Sequence, residues 1–236
     1  MQQFKFDRIL FFDIETVSQK HQFKDLDEKT SELFTQKTTY LQNQDKKVEQ
    51  LYQERAAIYA EFGKIICISV GFINETYGGK QIRIKSFYHQ DEWTLLNQFK
   101  TLLEDHPKYQ ILCGHNSKEF DIPYVCRRML IHGIPLPDIL NISGKKPWEI
   151  QHLDTMEMWK FGDFKAFTSL ALLCHIFDIP TPKDDISGSD VGRVYYEENN
   201  LDRIKTYCEK DVIALIQLFL KMKGFEIIDE TNIHTS

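Results

Sequence analysis

The feature that most constrains this chain is a short apolar run that ends in acid. Ile9-Leu10-Phe11-Phe12 leads directly into Asp13-Ile14-Glu15-Thr16. The run predicts a strand over residues 8–16. On a strand, residues i and i+2 face the same side, so Asp13 and Glu15 project together. Two like charges side by side repel, and burying either is costly. A divalent cation is the usual remedy, and the hard, oxygen-binding ions Mg²⁺ and Mn²⁺ suit a carboxylate cluster. D-x-E alone is a common surface pattern; the apolar run before it is what draws these acids inward.

The pattern downstream predicts the rest of the sheet. Residues 65–73 read as a β-branched strand, 74–80 (NETYGGK) as a hairpin turn, and 81–88 as a third, alternating strand. Residues 91–106 carry apolar side chains at helical spacing. A fourth strand is expected at 110–114, a helix at 122–132, a fifth strand at 150–153, and helices at 167–177 and 201–223. Three strands joined by short turns, followed by alternating helix and strand, imply an α/β fold with a mixed sheet flanked by helices. Residues 19–62 interrupt the first two strands. Their spacing predicts one long amphipathic helix preceded by a shorter one, either a helical arm packed on the sheet edge or a clamp or dimer contact.

The 236 residues are expected to form a single domain, 1–236, and 42% hydrophobic content is enough for a sizeable core. No apolar run approaches the ~18 residues of a membrane span, and the N-terminus does not read as a signal peptide. Cysteines 67, 113, 126, 174 and 208 are odd in number and scattered, with no C-x-x-C pair. That pattern predicts reduced thiols in a cytoplasmic protein, neither a disulfide frame nor a zinc site. The net charge of −6 argues against a protein that coats duplex DNA, so any nucleic-acid contact would be local.

Two more acidic positions stand out. Asp121, in GHNSKEFDIPY (114–124), lies at a strand-to-helix junction. It reads as an N-cap with Pro123 in the first turn, or as a ligand-binding residue at the carboxyl end of a sheet strand. Nearby, Asn116 reads either as a turn closer or as a contact residue, and Phe120 either as core or as a contact residue. Tyr207 and Asp211 are four apart on the last helix, hence stacked on one face. They form either a surface pair or part of a site, since Asp211 adjoins the apolar stripe of Ile204, Val212, Leu215, Ile216 and Phe219. Asp13, Glu15, Asp121 and Asp211 converging at a sheet end could hold two divalent ions. Ions about 3.5–4 Å apart clamp a phosphodiester and stabilise both attacking and leaving oxygens.

These three motifs resemble those of the DEDD superfamily of 3′→5′ exonucleases, which has a ribonuclease-H-like fold. D-x-E is Asp13-Ile14-Glu15, the second motif is Asn116 to Tyr124, and Y-x-x-x-D is Tyr207 to Asp211. Tyrosine at 207, with threonine at 206, resembles the tyrosine branch, so His115 and His152 are not expected to act as general base. The second motif is similar to the proofreading domain of family B DNA polymerases. Nearest is a bacterial family of predicted stand-alone exonucleases similar to that domain. The helical segment 19–62 departs from a minimal proofreading domain.

The resemblance implies a catalytic set of Asp13, Glu15, Asp121, Tyr207 and Asp211. Asp13, Glu15 and Asp211 would bind one metal ion, Asp13 would reach a second, and Asp121 would act mainly through a coordinated water. Tyr207 would orient or help deprotonate the attacking water. Thr16, Asn116 and Phe120 would hold the 3′-terminal nucleotides. The implied cofactors are two Mg²⁺ or Mn²⁺ ions. The implied substrate is single-stranded nucleic acid, DNA favoured over RNA, with a DNA polymerase or repair protein as partner. An RNA-trimming exonuclease and a non-catalytic nucleic-acid-binding or polymerase-partner module are the rival readings. Asp154 reads as a substrate or metal-site residue or as a strand-end cap, and residues 183–190 as a lid or a solvated loop.

Overall fold

The computed structural model describes residues 5–42, 46–163, 165–180 and 186–236. In chain order its elements are β1 (Ile9–Ser18), α1 (Glu28–Thr38), α2 (Val48–Arg55), β2 (Gly63–Thr76), β3 (Gly79–Tyr88), α3 (Glu92–Asp105), β4 (Ile111–Gly114) and α4 (Asp121–Ile131). Then follow β5 (Leu153–Asp154), α5 (Thr155–Lys160), α6 (Leu170–Ile176), α7 (Val191–Tyr196), α8 (Leu201–Met222) and β6 (Ile233–Thr235). The strands form one mixed sheet in the order β5-β4-β1-β2-β3-β6. β1, β2 and β3 are antiparallel, while β4 runs parallel to β1, β5 to β4, and β6 to β3.

Alternation along β1 sorts its side chains between two cores. Leu10, Phe12 and Ile14 pack with α3 and α4 through Leu95, Phe99, Ile122 and Val125. Ile9 and Phe11 pack on the other face with Val212, Ile216 and Phe219 of α8. Asp13 and Glu15 continue the second row, so they face α8, where Cys208 reaches Asp13.

A buried ion pair ties α3 to α4. Arg128 donates from Nε and Nη2 to Glu92, at 2.6 Å for the closest contact, and from Nη1 to the Ala60 carbonyl at 2.8 Å. Glu92 Oε1 also accepts the Ile65 N–H at 2.7 Å, which joins the start of β2 to both helices. Glu92 is 5% exposed and Arg128 4%.

Several details differ from the sequence reading. The segment 19–62 holds two helices, α1 and α2, but the second is only eight residues long rather than the long helix expected. Polar side chains Glu28, Lys29 and Glu32 leave α1 only a narrow apolar face, so the segment folds back on itself. Phe34, Leu51, Tyr52, Ala56 and Phe62 make a small core of its own, with Phe34 edge-on to Tyr52 and Phe62 at 5.1 Å each. Tyr52 donates to the Lys20 carbonyl at 3.1 Å, tying this core to the end of β1. The fifth strand is displaced to Leu153–Asp154, and α5, α7 and β6 were not foreseen; each is six residues or shorter, too short for a periodic signal. Residues 183–185 of the expected lid or loop lie outside the described residues. Ile186 beyond them is buried with Val17, Val191 and Tyr195, so that end of the segment is anchored in a core rather than solvated.

Candidate active site

β1 extends past its partner β4, whose pairing stops at Phe11↔Cys113. Ile14 N–H therefore has no ladder partner on that side, and Asp121 Oδ1 accepts it at 3.2 Å. Asp121 is the first helical residue of α4, with Phe120 at the cap position. It is not the N-cap that its local sequence suggests; its carboxylate serves the central strand instead. It is 4% exposed, and burial pushes its carboxyl up to about 7 against the opposing pull of backbone N–H groups.

Asp13 and Glu15 pair across the ladder with Ser69 and Cys67. Donor atoms of Asp13, Glu15 and Cys208 lie within 4.8 Å of one another. The Cys208 thiol donates to Asp13 Oδ2 at 3.6 Å and to its carbonyl at 3.5 Å. Burial raises the Asp13 carboxyl well above the usual carboxylate range, and Asp121 and Asp211 raise it further. Glu15 is raised likewise by burial, then by Asp13 and Asp211. Tyr207 is held protonated far above the ordinary tyrosine range by burial, with Asp211, Glu15 and Asp13 adding to it. The charge of Asp211, on the same helix as Cys208, thus raises both members of the β1 pair and Tyr207. Among the described residues, no cationic side chain forms an ion pair with Asp13 or Glu15.

Asn116 sits at φ 62°, the left-handed conformation that Asn tolerates better than most residues. Asp154 enforces this turn. Its buried carboxylate accepts the N–H groups of Asn116 at 2.9 Å and Lys118 at 3.1 Å, and those of Met156 and Glu157 at the start of α5. The strand-end cap reading of Asp154 therefore holds, and the cap also shapes the loop carrying Asn116. A Cβ on Gly114 would lie 2.3 Å from Ser117 Cβ, so the tight turn requires glycine there. The Asn116 side chain has no hydrogen bond among the described residues. Thr16 is half-buried just past a bulge at Glu15/Thr16. Phe120 is half-buried and packs on Tyr124 at 5.4 Å. His115 bonds Thr155 Oγ1 and the Thr168 carbonyl, at 2.9 Å each. His152 accepts from Leu112 N–H and bonds the Ile139 carbonyl. Burial lowers the pKa of both histidines, and both rings are structurally engaged.

Sequence reasoning treated Cys208 only as a reduced thiol. Its place beside Asp13 follows from the docking of α8 on β1, 195 residues away, which no local pattern reports. The polar relay from Ser69 through Ser86 to Glu209, 2.8 Å at each step, was likewise not foreseen.

Oxygen donors packed together, pushed toward neutrality by burial and repulsion, fit a hard divalent cation; Asp13, Glu15, Asp121 and Asp211 are the residues that would hold it. The metal-free chain carries a predictable signature. A carboxyl whose folded pKa is raised stabilises the fold below its unfolded pKa and loses that contribution as pH rises through the folded value. For Asp121 that window runs from about pH 4 to about pH 7. Thermal melts in EDTA should therefore show stability falling across this range. Added Mg²⁺ or Mn²⁺ should remove most of the loss at the upper end, and an Mg²⁺-independent profile would contradict the assignment.

A mixed sheet with acids on its central strand, faced by a C-terminal helix, defines the ribonuclease-H-like class. Within it, the chain belongs to the family of predicted 3′-5′ exonucleases related to the exonuclease domain of PolB, whose model matches residues 57–232. That stretch contains Asp121, Tyr207 and Asp211, while Asp13 and Glu15 precede it. The fold is similar to that of the family B DNA polymerase from the hyperthermophilic archaeon Pyrobaculum calidifontis, with a TM-score of 0.62 and 16% identity over 91% of this chain. The chain spans 24% of that polymerase's length. No curated protein matches in sequence.

Proposed function

We propose that this chain is a metal-dependent 3′→5′ exonuclease of the tyrosine branch. It would hydrolyse single-stranded DNA from the 3′ end to 5′-nucleoside monophosphates, in DNA repair or proofreading. The observation that carries this reading is the Asp13–Glu15 pair, Glu15 buried and Asp13 half-buried against α8, both raised by burial and by Asp211, and with no cationic side chain paired to either among the described residues. Two bound divalent ions would supply positive charge to the scissile phosphate and acidify a water.

The chain's own residues do the rest. Asp13, Glu15, Asp121 and Asp211 provide the anionic cradle. Tyr207, kept protonated by its neighbours, orients the attacking water by hydrogen bonding and does not serve as the base. The Asn116 amide and Thr16 receive the terminal nucleotide. Phe120 offers an aromatic face, a sequence-tolerant contact worth roughly 1–3 kcal/mol per stacked base. DNA is preferred over RNA on the strength of the family's relation to a polymerase exonuclease domain.

The test is a gel assay with 5′-labelled single-stranded DNA and matched RNA in Mg²⁺, Mn²⁺ or EDTA. A metal-dependent ladder from the 3′ end is expected, and the faster substrate identifies the sugar. Binding without cleavage of either would favour a docking module. In the same assay Tyr207→Phe should lose no more than about 100-fold, the low end for a positioned proton-transfer group. A far larger loss would make Tyr207 the base.

A further inference from the structure

On the face of the sheet opposite Asp13, α3 ends before it covers the far corner of β2, β3 and β6. This leaves a cavity of about 600 Å³, within the range of small-ligand sites. Arg83, Lys85 and Lys108 line it, together with His106 and His234, and among the described residues no Asp or Glu side chain does. Arg83 and His234 are register partners on β3 and β6, and Lys85 lies two residues along β3 on the same face. Lys108 stands 5.4 Å over the Phe72 ring and 4.9 Å over Tyr109. Among the described residues none of the three cations forms an ion pair. His234 Nε2 is buried without a hydrogen-bond partner, an unsatisfied polar atom of a kind that native structures rarely leave unexplained.

Three unneutralised cations converge on an aromatic-floored concavity in a chain of net charge −6. We infer that this corner of the sheet is a second binding site, for a phosphate-bearing ligand of nucleotide size. Arg83 and Lys85 contact the phosphate, Lys108 closes over it from the α3 side, and Phe72 forms part of the apolar floor. Two sources carry this chemistry: a free nucleotide, or the backbone of a nucleic-acid strand. The inference does not depend on hydrolysis at the carboxylate cluster, which lies on the opposite face.

Calorimetric titrations in EDTA test it, using a 5′-nucleoside monophosphate and a short single-stranded oligonucleotide as probes. The proteins compared are wild type, Asp13→Asn and the triple variant Arg83→Ala/Lys85→Ala/Lys108→Ala. At least one probe should bind wild type and Asp13→Asn alike, and the triple variant at least about tenfold more weakly. If the oligonucleotide is the responding probe, the slope of log K against log salt should also fall by about 2, as three lost contacts to a single strand require. A response to the mononucleotide alone assigns a free nucleotide, and a response to the oligonucleotide assigns a strand. Lys108→Glu, an exposed single change, repeats the comparison should the triple variant melt early. Absent binding of both probes, or affinities unchanged in these variants, would overturn the site.

Discussion

Replacing Asp13 by asparagine is expected to abolish exonuclease activity while making the metal-free protein more stable. The two effects share one cause. Asp13 is surrounded by Glu15, Asp121 and Asp211, and burial opposes its charge. Each pK unit of that penalty corresponds to about 1.4 kcal/mol, and asparagine removes it at nearly constant volume. Each kcal/mol relieved should raise the melting temperature in EDTA by about 2–4 °C for a chain of this size. Activity should fall by well over 100-fold, since loss of even an outer partner of a metal ligand costs 10–100-fold. Melting curves with and without Mg²⁺ also report the exchange: the wild type should gain from the ion and the variant should gain little. A variant that is less stable than wild type in EDTA would show that Asp13 is held by favourable contacts, and the electrostatic account of the site would fail.

The largest effect away from the site should come from Glu92→Ala. Arg128 would stay buried with its charge uncompensated, and Ile65 N–H would lose its acceptor. Breaking one partner of such a pair costs about 3–5 kcal/mol, or a fall in melting temperature of about 6–20 °C. Replacing both partners by apolar residues, Glu92→Leu with Arg128→Met, should cost much less than the sum of the single changes, because no orphaned charge remains. Denaturant unfolding of the two single variants and the double variant measures the coupling. Additive losses would mean that Arg128 finds another partner, such as the Ala60 carbonyl it already meets. A smaller effect is expected at Asp154. Alanine there strands the N–H groups of Asn116 and Lys118, at about 1–3 kcal/mol for each that stays buried and unsatisfied.

Much of the candidate site was legible because strand alternation and helix stacking are local rules. Asp13 and Glu15 share a face by their i, i+2 spacing, and Tyr207 and Asp211 by i, i+4. The central strands announced themselves through continuous apolar runs, which mark burial on both faces. Of the two readings of Asp121 the N-cap one did not hold, since Phe120 takes the cap position. Only the early end of the β1–β4 pairing creates the unpaired Ile14 N–H that its carboxylate serves. The short strands β5 and β6 were displaced or missed because two or three residues carry no period, and neighbouring strands rather than propensity hold them. The shortness of α2 escaped for a related reason: helical spacing continues through Ile58, Tyr59 and Phe62 past its end at Arg55, while Phe34 packs on Tyr52 and Phe62.

The sequence alone was enough to show which acids face the same way, where strands β1 to β4 and helices α3, α4 and α8 form, and that the last helix carries an acid beside its apolar stripe. The tertiary structure alone decided that Cys208 lies against Asp13, that Asp154 sets the Asn116 turn, and that Arg83, Lys85 and Lys108 meet in one cavity. Periodicity is a property of neighbours along the chain. These contacts join residues tens to nearly two hundred positions apart, and they arise only where apolar faces dock and where unpaired backbone groups must find partners.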